Sequence, residues 1–123
     1  MTNAISWFEI PATNYERAKS FYTALLGDVI TDHHMENGKY GMFSYDQDNN
    51  GVGGGIMEME GVKPSAEGVT IYLNGGDDLS KPLSHVEKAG GKIVMPKTDI
   101  GENGYMAQII DTEGNRIALH SWN

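Results

Sequence analysis

The chain has 123 residues, 17 Asp and Glu against 9 Lys and Arg, a net charge of −8 and no cysteine. That length suits one domain whose core needs neither a disulfide nor a structural metal. The charge argues against phosphate backbones and anionic membranes as partners, and the lack of cysteine excludes disulfides, thiolate metal sites and cysteine catalysis.

With 39% apolar and 21% charged residues, the composition is that of a folded globular protein. The start, MTNAISWFEI, has no basic segment followed by an apolar run, so no signal peptide is expected. No stretch approaches the roughly 20 apolar residues of a membrane span. The expected location is cytoplasmic.

In chain order, Ile5 to Ile10 is predicted as a strand with two alternating faces, Ile5/Trp7/Glu9 and Ser6/Phe8/Ile10. Thr13 and Glu16 have capping-box spacing, with Asn14 as a competing N-cap. Ala18, Phe21, Tyr22 and Leu25 then mark one face of a helix, and Gly27 stops it. Val29 to Met35, Tyr40 to Tyr45 and Gly53 to Met59 are three strand candidates. The order then repeats: a strand at Gly68 to Asn74 and a helix capped by Asp77 or Asp78 with Leu79, Leu83, Val86 and Ala89 apolar. Pro82 sits near its first turn and Gly90-Gly91 stop it. Strands at Lys92 to Met95, Tyr105 to Ile110 and Asn115 to Ser121 complete the second half.

The halves match at one fixed spacing of 64 residues, which separates Asn14 from Asp78 and Gly27 from Gly91. A constant offset across cap, stripe and stop points to internal duplication. The expected fold is α+β, two βαβββ modules in tandem. Module one covers about 1–60, a linker about 61–67 and module two about 68–123, together one domain. Each helix would cover one face of a four-stranded sheet, and two such sheets side by side would enclose a cavity.

SWFEIPATNYERAKSFYTALLG resembles the first βα unit of the vicinal oxygen chelate superfamily, and DTEGNRIALH resembles its last hairpin. That superfamily includes glyoxalase I, extradiol dioxygenases, fosfomycin-inactivating enzymes, methylmalonyl-CoA epimerase and bleomycin-sequestering proteins. The resemblance implies paired βαβββ modules, often a homodimer, and metal ligands of the His, Gln and Glu kind on the first and last strands of each module.

Carried over residue by residue, the first ligand position falls on Trp7, whose indole cannot ligate a metal. The second falls on Glu58. The third falls on Ile71 by count from Asp78, or on Thr70 if strand alternation is respected. The fourth falls on Ala118. A divalent ion held by Glu58 alone would keep most of its water, so the expectation is no metal and no cofactor.

Other chemistry is weighed on the same faces. His120 shares a face with Ala118 and could serve as an acid/base or a hydrogen-bonding group, since its ordinary pKa is near 6.5; the plainer alternative is an exposed terminal histidine. Glu58 could act as a base where burial raises its pKa. Trp7, Glu9, Tyr40, Thr70 and Tyr72 are candidate ligand-contact residues, with core packing or solvation as the ordinary alternatives. His33 and His34 are adjacent in a strand and point to opposite faces, and His85 is expected to face solvent. DQDNNG begins like a calcium loop, but its twelfth position is Met57 where a Glu is required; it reads as a hairpin turn. GVGGG lacks a phosphate-loop lysine and suggests a bulge or close backbone approach.

The expected function is binding of an unidentified small molecule between the two sheets without a catalytic metal. The competing expectations are a metal-dependent lyase or dioxygenase with unusual ligands, an antibiotic-sequestering protein of the bleomycin-resistance type, and an interaction module with a filled cavity.

Overall fold

A computed structural model of the chain, which describes residues 3–123, has the repeated element order expected from the sequence. β1 (Trp7–Pro11), α1 (Tyr15–Leu26), β2 (Thr31–His33), β3 (Gly38–Met42) and β4 (Gly53–Met59) make one βαβββ unit. β5 (Tyr72–Asn74), α2 (Ser80–Val86), β6 (Lys92–Asp99), β7 (Tyr105–Ile110) and β8 (Arg116–Ser121) make the other. The strand orders are β1-β4-β3-β2 and β5-β8-β7-β6. In each sheet the first and last strands pair in parallel and the remaining pairs are antiparallel.

α1 starts where Asn14 caps it, its Oδ1 accepting the Arg17 N–H at 3.1 Å. Such a cap contributes about 1 kcal/mol. The capping box expected between Thr13 and Glu16 does not form, because a distant residue takes its place. The Thr13 and Asn14 amides donate to Oε1 of Glu113 at 2.9 and 2.8 Å, and Arg17 Nε donates to Oε2 at 2.7 Å. Glu113 comes from the turn between β7 and β8, so the first helix is capped by the second unit. Burial alone would push the Glu113 carboxyl up. The donors Arg17, Asn14, Thr112 and Thr13 outweigh that and hold it at about 2. At the other end Gly27 takes φ 69°, the left-handed conformation that closes a helix without a Cβ clash.

The same turn reaches further into the core. Asp111 accepts the Tyr22 hydroxyl at 2.6 Å, and Asn115 Nδ2 donates to the Pro11 carbonyl at 2.7 Å. The buried stripe of α1, namely Tyr15, Ala18, Phe21, Tyr22 and Leu25, belongs to one hydrophobic cluster. That cluster takes Ile10 and Ile56 from the first sheet, Leu73, Ile109, Ile117 and Leu119 from the second, and Leu79 and Val86 from around α2. Each fully buried side chain of this size contributes about 1.5–3 kcal/mol. The helix-bearing faces of the two sheets therefore share a core, and their open faces look away from one another. Among the described residues the open faces enclose no space between them within one chain.

Element ends differ from the sequence reading for local reasons. β1 begins at Trp7 rather than Ile5, because its parallel partner β4 begins opposite, at Gly53. β2 and β5 are edge strands of three residues, shorter than their apolar runs suggest. β3 begins at Gly38 and ends at Met42 rather than running from Tyr40 to Tyr45. α2 ends at Val86, short of Ala89. β6 instead extends past Met95 to Asp99, with register shifts on either side of Met95. It tolerates Pro96 because an edge strand can lose a ladder donor.

Glu113→Gln is expected to lower the unfolding free energy at neutral pH by about 1–3 kcal/mol, since it removes the charge that several donors converge on. The folded-state pKa of Glu113 is depressed. Its contribution is therefore complete above the ordinary value of 4.5 and fades as pH falls toward 2. Urea titrations of the two proteins should differ most at neutral pH and converge in acid; a constant gap at every pH would refute the role.

Candidate functional site

Strand alternation sends Phe8 and Ile10 of β1 toward the helix and leaves Trp7 and Glu9 on the open face. Tyr40 of β3 pairs with Met57 of β4, so both point to that same open face. There Trp7 Nε1–H donates to the Tyr40 hydroxyl at 2.8 Å, and that hydroxyl donates to Glu9 Oε2 at 2.8 Å. Burial pushes the Tyr40 phenol up, the Trp7 N–H pulls it back and the Glu9 carboxylate raises it again. It is held as a protonated donor.

The glycines of GVGGG make room for this. A Cβ on Gly55 would stand 2.5 Å from the Tyr40 ring and hydroxyl, and one on Gly53 would collide with the Tyr45 ring. Tyr45 meets Trp7 edge-on at 5.6 Å between centroids. On the helix side Gly54 accommodates Phe8 in the same way. The β1–β4 register runs unbroken through these glycines. Close approach of aromatic rings, and not a bulge, is their physical role.

The open face of the second sheet carries Tyr72 and Asn74 from β5, Arg116, Ala118 and His120 from β8, and Met106 and Gln108 from β7. Tyr72 is 53% exposed. His120 Nε2 lies 2.7 Å from the Asn103 carbonyl, which can only accept, so this nitrogen carries the proton. Its ring meets Trp122 edge-on at 4.9 Å. Tyr72, Asn74, His120 and Trp122 border an open hollow of about 580 Å³. Arg116 Nη2 donates to Thr70 Oγ1 at 3.2 Å, and its buried Nε has no hydrogen-bond partner. A separate cleft of about 520 Å³ lies on the helix side, bordered by Phe8, Leu25, Phe43, Leu73, Pro82 and His85.

The structure thus brings Trp7, Glu9 and Tyr40 together on one face, and Thr70, Tyr72 and His120 together on the other. Glu58 joins neither group. It shares the helix side with Ile56, and its Oε1 accepts the Tyr15 N–H at 2.7 Å, so it serves the start of α1. His33 and His34 are both exposed, and His33 lies edge-on to Tyr40 at 6.2 Å between ring centroids. Arg116 was not among the sequence candidates. Its signal was alternation, since it stands two residues before Ala118 in NRIALH, on the face that also holds His120.

Hydrogen bonding also fixes which positions of the two units correspond. Ala12 N–H donates to the Met57 carbonyl at 2.9 Å, and Gly75 N–H donates to the His120 carbonyl at 2.6 Å. Counted from these bonds along both ladders, Trp7 corresponds to Thr70, Glu9 to Tyr72 and Gly55 to Ala118. By this correspondence Thr70, not Ile71, matches Trp7, and Gly55, not Glu58, matches Ala118. An indole, a glycine, a threonine and an alanine do not fit a divalent ion. Among the described residues no three His, Asp or Glu side chains are grouped to hold one.

Paired βαβββ units with one helix across each sheet define the vicinal oxygen chelate fold. The chain belongs to the Glyoxalase/Bleomycin resistance protein/Dioxygenase superfamily, whose model matches residues 4–119. Relatives from Mycobacterium bovis and Mycobacterium tuberculosis, carrying the provisional name glyoxylase CFP32, are 31% identical over 96% of this chain. The chain spans only 45% of their length. A glyoxylase-like domain-containing protein of Didymella fabae is 32% identical over 94% of this chain and 91% of its own. Among solved structures, a glyoxalase/bleomycin resistance protein from Albidiferax ferrireducens superposes with a TM-score of 0.71 at 17% identity, covering 97% of this chain and 98% of its own.

Tyr40→Phe removes the acceptor of the Trp7 N–H and the donor to Glu9. It should destabilise the fold by about 0.5–1.5 kcal/mol and alter Trp7 fluorescence, read by urea titration and emission spectra. Gly55→Ala should cost about 1–3 kcal/mol through the clash with a pinned tyrosine ring, a loss that Gly55→Ala in a Tyr40→Ala background should largely recover.

Proposed function

We propose that the protein binds a small organic molecule without a catalytic metal, in a cup formed when the open face of one first sheet meets the open face of another unit's second sheet. The observation that carries this reading is the chemistry of the four chelate positions, Trp7, Gly55, Thr70 and Ala118. Over Gly55 stands the Tyr40 phenol, joined to Trp7 and Glu9, where the family would need open space for an ion. Trp7 and Tyr40 offer flat apolar walls, and Glu9 offers a free carboxylate oxygen.

The outward-looking open faces support pairing between copies, hence a homodimer. The mycobacterial relatives have length for two such units in one chain, which would pair them in cis. In the proposed organisation residues 1–123 are one domain, with about 61–67 joining its modules. The lack of cysteine supports a reducing, cytoplasmic setting.

The relatives' glyoxylase name and the dioxygenases of the superfamily's description support an enzyme as a second reading, which we take as a metal-dependent lyase or dioxygenase. It requires ligands such as Glu9 and His120 to meet across the paired units. Metal analysis of protein dialysed against nickel, zinc or iron separates the two. Metal well below one ion per chain, with thermal upshifts from a compound library that vanish in Trp7→Ala, is the expected result. Stoichiometric metal with chelator-sensitive turnover would overturn it. A ligand at a hundred times its Kd should add about 2.7 kcal/mol of stability.

A further inference from the structure

In a chain of net charge −8, one cation stands apart. The ion pairs among the described residues involve Arg17, Lys19 and Lys97; of the cations outside them, Arg116 is the one with a buried nitrogen that lacks a hydrogen bond. The Arg116 side chain is half-buried on the open face of the second sheet. Thr70 takes one of its N–H groups, and no acceptor among the described residues takes the others of its side chain. Its Nε is the one buried side-chain nitrogen or oxygen without a hydrogen bond among the described residues. A guanidinium partly withdrawn from water with no counter-charge is costly. A surface arginine avoids that cost by swinging into solvent. This one is held by Thr70, and its own backbone N–H is tied to the Ser65 carbonyl at 3.3 Å.

Its position adds to the argument. Arg116 precedes Ala118 on β8, and its bonded partner Thr70 corresponds to Trp7, so it flanks the centre where the four chelate positions meet. We infer that Arg116 is the anchor for the carboxylate of a small organic monoacid, an inference that rests on the cup proposed above. A guanidinium presents parallel N–H donors that match both oxygens of a carboxylate, a geometry that neither an ammonium nor an amide reproduces. The organic cation then supplies the positive charge at the centre, where the family's chemistry uses a metal. The exposed Tyr72 ring on the same face offers an apolar bed for the body of the acid. The exposed Glu9 carboxylate on the facing sheet disfavours a second negative charge, which is why a monoacid fits and a diacid does not.

The test uses benzoate and its neutral isostere benzamide, at constant ionic strength, followed by calorimetric titration and thermal shift. Benzoate should bind the native protein and raise its Tm, and benzamide should do neither. Charge-assisted hydrogen bonds of this kind set the expected loss in Arg116→Met at about ten- to a hundredfold in benzoate affinity. Arg116→Lys should recover only part of it. Thr70→Val, which frees the guanidinium while leaving the charge, should weaken benzoate by a smaller factor and guards against a folding defect in the arginine variant.

Sedimentation velocity runs beside these titrations. Loss of the dimer in Arg116→Met would mean that the arginine pairs with a carboxylate of the neighbouring unit, and would overturn the proposal. Equal binding of benzoate and benzamide, benzoate binding that survives Arg116→Met, or no benzoate binding at all would also overturn it. None of these outcomes touches the Trp7-dependent shifts by neutral compounds, so the cup and its anchor fail separately.

Discussion

The turn from Asp111 to Asn115 caps, clamps and orients the first helix, and the placement of every candidate residue follows from that attachment. Glu113 saturates the amides at the helix start, Asp111 receives the Tyr22 hydroxyl, and Asn115 reaches back to Pro11. These bonds cross between the two units; the Tyr22–Asp111 bond is buried and the Asn115–Pro11 bond partly so, where an unmet polar group is expensive. They commit α1 to both sheets at once. Once the helix-bearing faces share a core, the open faces can only point outward. A closed cup then requires a second unit, and this connects a buried polar turn to the assembly proposed for function.

The open face of the first sheet is an instance of replacement chemistry. Glycine at position 55 removes a side chain from the strand, and the vacated volume is taken by Tyr40 from the neighbouring strand. Its hydroxyl is satisfied in both directions, by the Trp7 N–H and the Glu9 carboxylate. A buried polar group so saturated is rigid, because each partner restrains the others. The face has become an aromatic platform with one acidic group. The open face of the second sheet, which looks the other way, carries the contrasting charge of Arg116. Family membership speaks to the scaffold, and the side chains on these two faces speak to the chemistry.

Much of this architecture was legible. The Ala18, Phe21, Tyr22 and Leu25 stripe, the Asn14 cap and the Gly27 stop announced the first helix, and the spacing of 64 residues announced the duplication. Alternation alone placed Trp7 with Glu9 and Thr70 with Tyr72. Glu58 fell on the helix side because a strand position displaced by an odd number of residues changes face, and the family spacing landed three residues from Gly55. Arg116 was overlooked for a different reason. In sequence it is an ordinary arginine, and its distinction is the absence of a partner, a property that exists only once every neighbour is placed.

By itself the sequence determined the α+β class and the two βαβββ units, and it put an indole at position 7 and a methyl at position 118, because these rest on local periodicity and on residue chemistry. Only the tertiary structure decided that Gly55 and not Glu58 shares the open face with Trp7 and Glu9, that Tyr40 fills the space above it, and that the open faces look outward. Those outcomes depend on hydrogen-bond register and on contacts between residues a hundred positions apart, and neither leaves a trace in neighbouring residues along the chain.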